Sequence, residues 1–401
     1  MIFLVKLIFW ISLFIVIYTF IGYGIVLFLI TRIKRIFRGK RKITDIHKKK
    51  DWPEITLLIA AYNEEDDILD KLENSIQLDY PKEKLNILFV TDGSTDRTTK
   101  LLREKAGENI IVEHSDERKG KIAAVDRVMP LVKSPIIIYT DANTFLNKSA
   151  LKNIVRHFDD EKVGAVAGEK RIEQNTSDHA AGAGEGFYWK YESKLKKWDD
   201  ELVSVVGAAG ELFAIRTELY KPVSSDTIIE DFVMTVGISL AGYRVAYEPE
   251  AYATERSSAN SKEERKRKVR IAAGGIQAIT RLKSAFNFFN NFWLSFAFIS
   301  HRVLRWTITP FALIILLFTN IYLWQTTQSS IYEFLAYGQI LFYLLAIIGL
   351  LFESKEIRIK AFFIPYYFCM MNISVIQGIF RHFKGSQSVV WERAKRAQKS
   401  I

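Results

Sequence analysis

The order of apolar and polar residues divides the chain into three zones. Residues 2–30 are almost uncharged, with Lys6 as the exception. Between residues 53 and 262, short apolar runs alternate with amphipathic segments. Longer apolar stretches then follow near residues 306–324, 332–352 and 361–383. The pattern predicts one soluble domain between hydrophobic helices that are long enough to enter a membrane.

The first apolar stretch is expected to be a retained membrane anchor over residues 1–31. At about 1.5 Å per residue, a helix of this length spans a ~30 Å hydrocarbon core. A signal peptide has a shorter apolar core and a small-residue cleavage site, and the apolar stretch runs on without one. Residues 32–52 then form a basic juxtamembrane linker that begins with Arg32, Lys34 and Arg35. By the positive-inside rule, the chain after the anchor should face the cytoplasm.

The middle zone, residues 53–262, has the alternation that is typical of a mostly parallel α/β sheet. Candidate strands lie near residues 54–61, 85–90, 110–113, 136–140 and 163–168. The carboxyl ends of parallel strands share one edge, where open α/β sheets bind ligands. The expected fold class is therefore α/β and Rossmann-like, with polar strand ends that face one crevice.

The strand expected at residues 136–140 leads to the strongest candidate for chemistry. Asp141 follows the apolar run directly, and Asn143 lies two residues later. Hard oxygen ligands beside a phosphate site suit Mg²⁺ or Mn²⁺, which keeps several of its own waters. Taken alone, the Asp-Ala-Asn tripeptide is equally compatible with a simple turn.

Two other strand ends carry groups that suit a nucleotide. Asp92, after the second strand, could accept a hydrogen bond from a pyrimidine N–H. Lys121, just before a helix expected at residues 122–128, could offset the charge of a diphosphate. Taken singly, the first segment is typical of a turn with a helix cap, and the second of a solvated loop. Their order, each behind its own strand, favours a shared site.

A set of motifs in fixed order extends this interpretation. The motifs are Ala61-Tyr62-Asn63-Glu64, Asp92-x-Ser94-x-Asp96-x-Thr98, Gly120-Lys121-x-x-Ala124, Asp141-x-Asn143 and Glu230-Asp231. Jointly they resemble the motifs of GT-A glycosyltransferases of family 2. Within that family the chain is similar to the membrane-embedded synthases of cellulose, hyaluronan, chitin and poly-N-acetylglucosamine. The resemblance covers roughly residues 53–277.

The resemblance implies a role for each matching residue. Asp231 would be the base that deprotonates the acceptor hydroxyl, with Glu230 beside it. Asp141 and Asn143 would hold the metal, Mg²⁺ or Mn²⁺. Donor and nucleotide binding would involve Ala61, Tyr62, Asn63, Glu64, Asp92, Lys121 and Asp141. The acceptor side would include Gly207, Gly210 and Glu211, and a phosphate-binding or gating role would fall to Arg267 and Arg270.

The sequence departs from the family pattern at two places. The second acid of the metal motif is replaced by Asn143, a neutral and weaker ligand. In the Gln-x-x-Arg-Trp motif, Arg267 replaces the glutamine and Ile271 replaces the tryptophan, while Arg270 retains the cation. An aromatic ring that would stack on the acceptor sugar is therefore missing at position 271, which puts processive polymer synthesis in doubt.

Charge and cysteine content narrow the partners. The formal net charge is +11, and the basic groups cluster beside apolar segments, around residues 32–42, 265–270 and 393–399. That position favours a lipid bilayer over nucleic acid as the partner. The single cysteine, Cys369, excludes an internal disulfide and fits a reducing compartment.

The end of the chain presents a topological conflict. Residues 263–305 are expected to form interfacial and gating helices, residues 306–383 a transmembrane region, and residues 384–401 a basic tail. Three crossings after a cytoplasmic domain would put this tail outside, against the positive-inside rule. Either residues 361–383 are re-entrant or residues 287–306 also cross. We expect a cytoplasmic tail.

The function expected from the sequence is that of an inverting glycosyltransferase in the inner (plasma) membrane, with its catalytic domain over residues 53–262. It would transfer a sugar from a nucleotide-sugar, with a UDP-linked donor favoured, to a glycan or lipid acceptor. The product would be a cell-envelope glycan or extracellular polysaccharide, or else a single-sugar glycolipid. A non-catalytic membrane scaffold that kept the fold is the alternative of a different class.

Overall fold

The computed structural model describes residues 1–39, 41, 43–107, 109–173, 181–256, 258, 260–353 and 359–385, without the side chains of residues 38 and 181–189. Nearly all of the predicted basic tail, from residue 386 on, lies outside the described residues.

Within the described residues, eight strands form one sheet in the order β3-β2-β1-β4-β7-β6-β8-β5. Its strands are β1 Ile55–Ala61, β2 Leu85–Asp92, β3 Ile110–Ser115, β4 Ile136–Asp141, β5 Thr144–Leu146, β6 Val163–Ile172, β7 Leu212–Arg216 and β8 Arg244–Glu255. The first half of the sheet, β1 to β4, is parallel as predicted. In the other half, β7 runs antiparallel to β4 and β6, and β5 runs antiparallel to β8. The sheet is therefore mixed, whereas the sequence pattern predicts a mostly parallel one.

Strand β7 is antiparallel because it begins at the edge of the sheet where the parallel strands end. The Thr140 hydroxyl, at the carboxyl end of β4, donates a 2.9 Å hydrogen bond to the Glu211 carbonyl oxygen, and Thr140 pairs with Leu212. A strand that starts beside the carboxyl end of its neighbour has to run back along it. The glycine-rich segment before β7 is thereby held at the edge where the parallel strands end.

Helices cover both faces of the sheet. In the soluble part they are α3 Ile68–Ile76, α4 Thr98–Lys105, α5 Lys121–Val128, α6 Ala150–Val155, α7 Ala181–Leu202 and α8 Glu230–Leu240, with 3₁₀ turns at Lys82–Lys84, Met129–Leu131, Arg156–Asp159 and Thr217–Leu219.

Strand β4 has a continuous apolar run because both of its faces are buried. Ile138 packs into the core on one face, while Ile137 and Tyr139 pack into the core on the other. Successive side chains of a strand point to opposite faces, so a strand buried on both needs apolar residues at every position.

Strand β8 has no counterpart among the predicted elements. Its twelve residues pair with β6 over most of their length, but the register shifts between Gly168 and Glu169 of β6. Pro249 and two glutamates lie at that irregularity and interrupt the apolar pattern. A bulge of this kind hides a strand from any test for strict alternation.

The hydrophobic helices agree with the predicted stretches. The first consists of α1 Ile2–Ile17, a π-helical segment Tyr18–Gly22, and α2 Tyr23–Arg38; the last three are α12 Ile308–Thr327, α13 Ser330–Glu353 and α14 Lys360–Phe383. Among the described helices, these four regions are long and apolar enough to cross a membrane. Helix α1 packs against α12 and α13 through Phe9, Leu316 and Tyr332.

Between the soluble domain and α12 lies a broken helical segment. It comprises α9 Ser261–Arg281, a 3₁₀ turn Lys283–Phe286, α10 Phe292–Ala297, a second π-helical segment Phe298–Val303 and α11 Leu304–Trp306. Helix α14 lies along α9. A Cβ placed on Gly378 of α14 would be 2.5 Å from the Ala272 Cβ of α9, so the two backbones touch closely there. Arg265 of α9 also donates a 3.2 Å hydrogen bond to Gln377.

Candidate active site

Lys121 joins the two sides of a cleft at the carboxyl edge of the sheet. As the first residue of α5, it places its ammonium group 2.9 Å from Asp141 Oδ1 at the end of β4. The same Nζ lies 3.0 Å from Glu230 Oε1 at the start of α8. Residues that the sequence analysis singled out from three separate motifs are therefore in direct contact.

The three charges alter one another's ionisation. Burial alone would lower the pKa of Lys121, but Asp141 and Glu230 outweigh it and raise that pKa above its ordinary value. Burial raises the pKa of Asp141, although Lys121 opposes the change. Burial would also raise the pKa of Glu230, but Lys121 outweighs it and the pKa is lowered. Lys121 therefore stays charged, and Glu230 stays ionised beside it.

Asp231 lies next to this cluster, in the first turn of α8. Helix α8 begins at Glu230, so Asp231 is its second residue. The loop before it is fixed by Gln277 of α9, which accepts a 3.0 Å hydrogen bond from the Ile228 N–H. Burial, reinforced by the charge of Glu230, raises the pKa of Asp231 to about 7. A carboxyl with that pKa is suited to proton transfer near neutral pH.

The predicted metal ligands supply hard oxygen atoms. The Asp141 carboxylate is mostly buried, with 18% of its side chain exposed. The Asn143 Oδ1 atom is buried and has no hydrogen-bond partner within the described structure, so it is available as a ligand. Across the described ranges, no group of three histidine, cysteine or acidic residues could hold a metal. The two residues fit a Mg²⁺ or Mn²⁺ ion whose remaining ligands are phosphate oxygens and water.

The nucleotide-side residues follow β1 and β2. Asp92 Oδ2 accepts hydrogen bonds from the Lys119 N–H at 2.9 Å and the Gly120 N–H at 2.6 Å. Its buried Oδ1 makes no hydrogen bond inside the described structure and lies 3.6 Å from Arg127. The guanidinium of Arg118 lies 3.7 Å over the ring of Tyr62. Asp92 thus holds the loop before Lys121 through Oδ2, while Oδ1 faces Arg127 and accepts no hydrogen bond within the described structure.

Asn63 and Glu64 have local partners in this structure. The Asn63 side chain accepts a 2.8 Å hydrogen bond from the Thr95 N–H, and the Glu64 N–H donates to the Thr98 hydroxyl at 2.8 Å. These bonds hold the loop after β1 against the loop after β2. Contact of Ala61, Tyr62, Asn63 and Glu64 with a donor stays a prediction.

A cavity of about 280 Å³ connects the cluster to the segments predicted for the acceptor and for gating. Its lining includes Lys121, Asp141, Gly207, Gly210, Glu211, Glu230, Asp231, Arg267 and Arg270. A Cβ on Gly210 would lie 3.4 Å from Asp231 Oδ2 and 3.5 Å from Lys121 Nζ. The glycine therefore leaves open the space between the candidate base and the candidate phosphate-binding cation.

The two predicted gating arginines have different surroundings. Arg267 lies 3.0 Å from Glu264 and 4.0 Å from Glu255, so it is held by acids. Arg270 is largely buried, which lowers its pKa, while the charges of Glu230, Asp231 and Asp141 oppose that change. Its position makes it a second cation that faces the charged end of the cavity.

Several lining residues escaped the sequence analysis. They are Glu192 and Lys196 of α7, Glu255 of β8, Arg302, Arg305, Trp306, and Met371 and Val375 of α14. Glu192 is a hub. It lies 2.8 Å from Arg302, 3.0 Å from Arg305 and 3.2 Å from the buried His301, which in turn lies 2.6 Å from Asp199. Residues 298–305 lie within the region that the sequence predicts as interfacial and gating helices, and no local motif marks this cluster.

Comparisons with known proteins show which sequences and folds the chain resembles. The family model for glycosyl transferase family 2 matches residues 56–222. The described fold is similar to that of a solved mannosyltransferase, PcManGT from Pyrobaculum calidifontis, in complex with GDP-Man and Mn²⁺. The TM-score is 0.69 at 19% identity, and the match covers 94% of this chain and 99% of that one. The fold is therefore that of the GT-A glycosyltransferases. Residues 56–222 therefore resemble a glycosyl transferase family 2 domain.

Curated relatives match part of the chain. A poly-beta-1,6-N-acetyl-D-glucosamine synthase of Staphylococcus aureus (strain MSSA476) is 30% identical over 235 residues, which are 57% of this chain and 56% of the synthase. A beta-monoglucosyldiacylglycerol synthase of Nostoc sp. (strain PCC 7120) is 32% identical over 167 residues, which are 40% of this chain and 34% of that enzyme. The chain thus spans about half the length of the first relative and a third of the second.

Replacement of Gly207 by alanine should destabilise the protein more than the same change at Gly242. Both glycines have a positive φ, +82° and +94°, so each alanine incurs backbone strain of about 1–3 kcal/mol. At Gly207 the new Cβ would also lie 2.0 Å from the Phe232 ring, whereas nothing lies within 4 Å at Gly242. This overpacking adds about 1–3 kcal/mol. Thermal unfolding of both variants in one detergent measures the difference, and equal melting temperatures would contradict the described packing.

Proposed function

We propose that the protein is an inverting glycosyltransferase that moves a sugar from a nucleotide-sugar to an acceptor hydroxyl at a membrane. The observation that carries the proposal is the position of Asp231, a carboxyl with a pKa of about 7, across Gly210 from Lys121 and beside its partners Asp141 and Glu230. This arrangement puts a proton acceptor next to a cationic site for phosphate. Direct displacement of a nucleoside diphosphate needs both groups within one cavity.

Each charged residue has its own proposed role in a single-displacement transfer of the sugar. Lys121 and Arg270 would bind the donor diphosphate, and Asp141 with Asn143 would hold the divalent ion. When bound, such an ion neutralises charge that develops on the leaving diphosphate. Asp231 accepts the proton of the acceptor hydroxyl while the hydroxyl oxygen forms the new bond to the anomeric carbon of the sugar. The bond from that carbon to the diphosphate breaks, so the configuration inverts.

The donor is proposed to be UDP-linked, because the Asp92 Oδ1 atom, which accepts no hydrogen bond in the described structure, suits a pyrimidine N–H. The metal is proposed to be Mn²⁺ or Mg²⁺, since both prefer oxygen ligands. A divalent ion is also supported by the Mn²⁺ in the mannosyltransferase with a similar fold, although that protein was solved with GDP-Man. The acceptor is a glycan or a lipid, and the two curated relatives are named for one product of each kind.

The proposed location is the inner (plasma) membrane, with the soluble domain in the cytoplasm. Arg35 at the end of α2 pairs with Glu201 of the soluble domain, so the basic end of the anchor and this domain lie on one side. The contact of α14 with α9 supports three crossings, by the first helical region, α12 and α13. Helix α14 would then lie along the cytoplasmic side and leave the basic tail in the cytoplasm.

Replacement of Asp231 by asparagine should abolish transfer but spare donor binding. Asparagine has nearly the same shape but cannot accept the proton, so turnover should fall by ~10²–10⁴. Asp141→Asn should lose both binding and turnover, because it removes the main proposed metal ligand. Calorimetry with UDP-sugar and Mn²⁺, together with single-turnover transfer, measures both properties. The assignment of the base is wrong if Asp231→Asn keeps near-parental transfer, or if its donor affinity falls as far as that of Asp141→Asn.

Transfer should depend on pH through Asp231. Only the ionised carboxylate accepts a proton, and its pKa is raised to about 7. The value of kcat/KM should therefore fall about tenfold per pH unit below that pKa and level off above it. A series of initial rates between about pH 5 and pH 9, at saturating metal, measures the profile. A flat profile across neutral pH would contradict the proposed role of this carboxyl.

The basic tail should be cytoplasmic, because Arg393, Lys395, Arg396 and Lys399 outnumber Glu392. In a Cys369→Ser background, a cysteine introduced by Ser400→Cys should resist a membrane-impermeant maleimide in intact cells. It should react fully after the cells are opened, which serves as the control. Labelling in intact cells would require α14 to cross the membrane.

A further inference from the structure

Part of the cavity lining is apolar, and we call this part the apolar end. Its walls there include Ile271 of α9, Trp306 of α11, and Met371 and Val375 of α14. Trp306 is followed within two residues by the apolar helix α12. These side chains come from segments adjoining the membrane, whereas Lys121, Asp141 and Glu230 of the same cavity belong to the soluble domain.

Helix α14 separates this apolar end from its surroundings. Phe368, Met371, Val375 and Gly378 lie at spacings of three and four residues, which places them on one face of the helix. Along that face, Phe368 meets Phe20 at 4.8 Å and Phe342 at 5.7 Å between ring centroids.

The opposite face of α14 carries Ile373, which is 50% exposed, and the exposed Phe380. Exposed apolar side chains of this size, on a helix that also packs against apolar helices, suit contact with lipid. One helix thus presents one face to the cavity and the other to the bilayer.

Trp306 connects the apolar end to the candidate base. Its ring lies on α9, where a Cβ on Gly275 would be 2.5 Å from the Trp306 Cε3 atom. The ring centroid is 5.3 Å from that of Phe232, the residue that follows Asp231. An apolar surface therefore runs from beside the base to α14. The aromatic ring missing at position 271 is supplied to the same cavity from a different helix.

Polar groups border this surface. Arg302 and Arg305, held by Glu192, line the cavity next to Trp306. Arg302 also donates a 3.1 Å hydrogen bond to the Val206 carbonyl oxygen beside Gly207. Fixed guanidinium groups next to an apolar wall provide the mixture of contacts that a lipid headgroup and its first methylene groups require.

We propose that the acceptor is a membrane lipid that carries a hydroxyl in its headgroup. This inference rests on the proposed function and names the acceptor of that same site. The lipid hydroxyl oxygen bonds to the anomeric carbon, its proton passes to Asp231, and the nucleoside diphosphate leaves. The apolar chains extend over Trp306 toward Met371 and Val375 and leave the cavity beside α14.

The test uses the full chain in phosphatidylcholine vesicles that contain dioleoylglycerol and a long-chain polyprenol as neutral hydroxyl lipids. Radiolabelled UDP-glucose, UDP-N-acetylglucosamine and GDP-mannose are supplied in turn with Mn²⁺, and a soluble chito-oligosaccharide serves as the competing acceptor. Label in the organic phase, on one or both lipids, is the expected result. Label only in the oligosaccharide, or hydrolysis of a donor without lipid product, overturns the inference and leaves the proposed function standing. The absence of both transfer and hydrolysis for every donor contradicts the proposed function itself.

Variants of α14 test the path of the lipid. Met371→Trp narrows the apolar end, so the ratio of lipid product to donor hydrolysis should fall at least tenfold. Val375→Phe is a second variant of the same wall and should lower the ratio in the same direction. Ile373→Trp, on the opposite face of the helix, is the matched control and should retain the parental ratio. An unchanged ratio in both cavity variants, at parental melting temperatures, overturns the assigned path.

Discussion

The contact on which the site depends most is the ammonium group of Lys121 between Asp141 and Glu230. A buried cation is tolerated only when acids and hydrogen bonds replace the water that it loses. Here those acids come from the end of β4 and the start of α8, on opposite sides of the cleft. The residues just before Lys121 donate their backbone N–H groups to Asp92. One helix start therefore determines the spacing between the nucleotide side, the phosphate site and the candidate base.

Two further lysines lie beneath the same edge. Lys71 is fully buried and donates hydrogen bonds to the Thr140 hydroxyl at 3.1 Å and the Thr144 carbonyl oxygen at 2.6 Å. Burial lowers its pKa to about 7, although the charge of Asp141 opposes the change. Lys170 is buried between Glu211 and Glu255, which line the cavity. A cleft with this many acids can stay folded without a ligand because cations are built into its floor.

Sequence reasoning reached the parallel half of the sheet and the position of Asp92, Lys121 and Asp141 at one shared edge, for a physical reason. A strand buried on both faces must be apolar throughout, and the residue after it must lie at the functional edge, so Asp141 could be placed from its neighbours alone. Strand β8 was missed because its pairing with β6 passes through a bulge. Glu192 was missed because its partners lie more than a hundred positions away, and no local spacing encodes a contact between α7 and the residues before α12.

The first hydrophobic helix contacts the cluster around Glu192. The Tyr23 hydroxyl donates a hydrogen bond to Asp199, which lies 2.6 Å from His301, and the Tyr18 hydroxyl lies 2.8 Å from the Ser300 hydroxyl. Tyr18 is the first residue of the π-helical segment in the first helix, and Tyr23 follows that segment directly. Their contacts join this part of the helix to the π-helical segment before α12. The first hydrophobic helix therefore makes specific side-chain contacts that an arbitrary apolar helix would not make. A fragment without it would expose the Asp199 carboxylate and remove the partner of Ser300, so a transplanted helix would have to reproduce these tyrosines at the same positions.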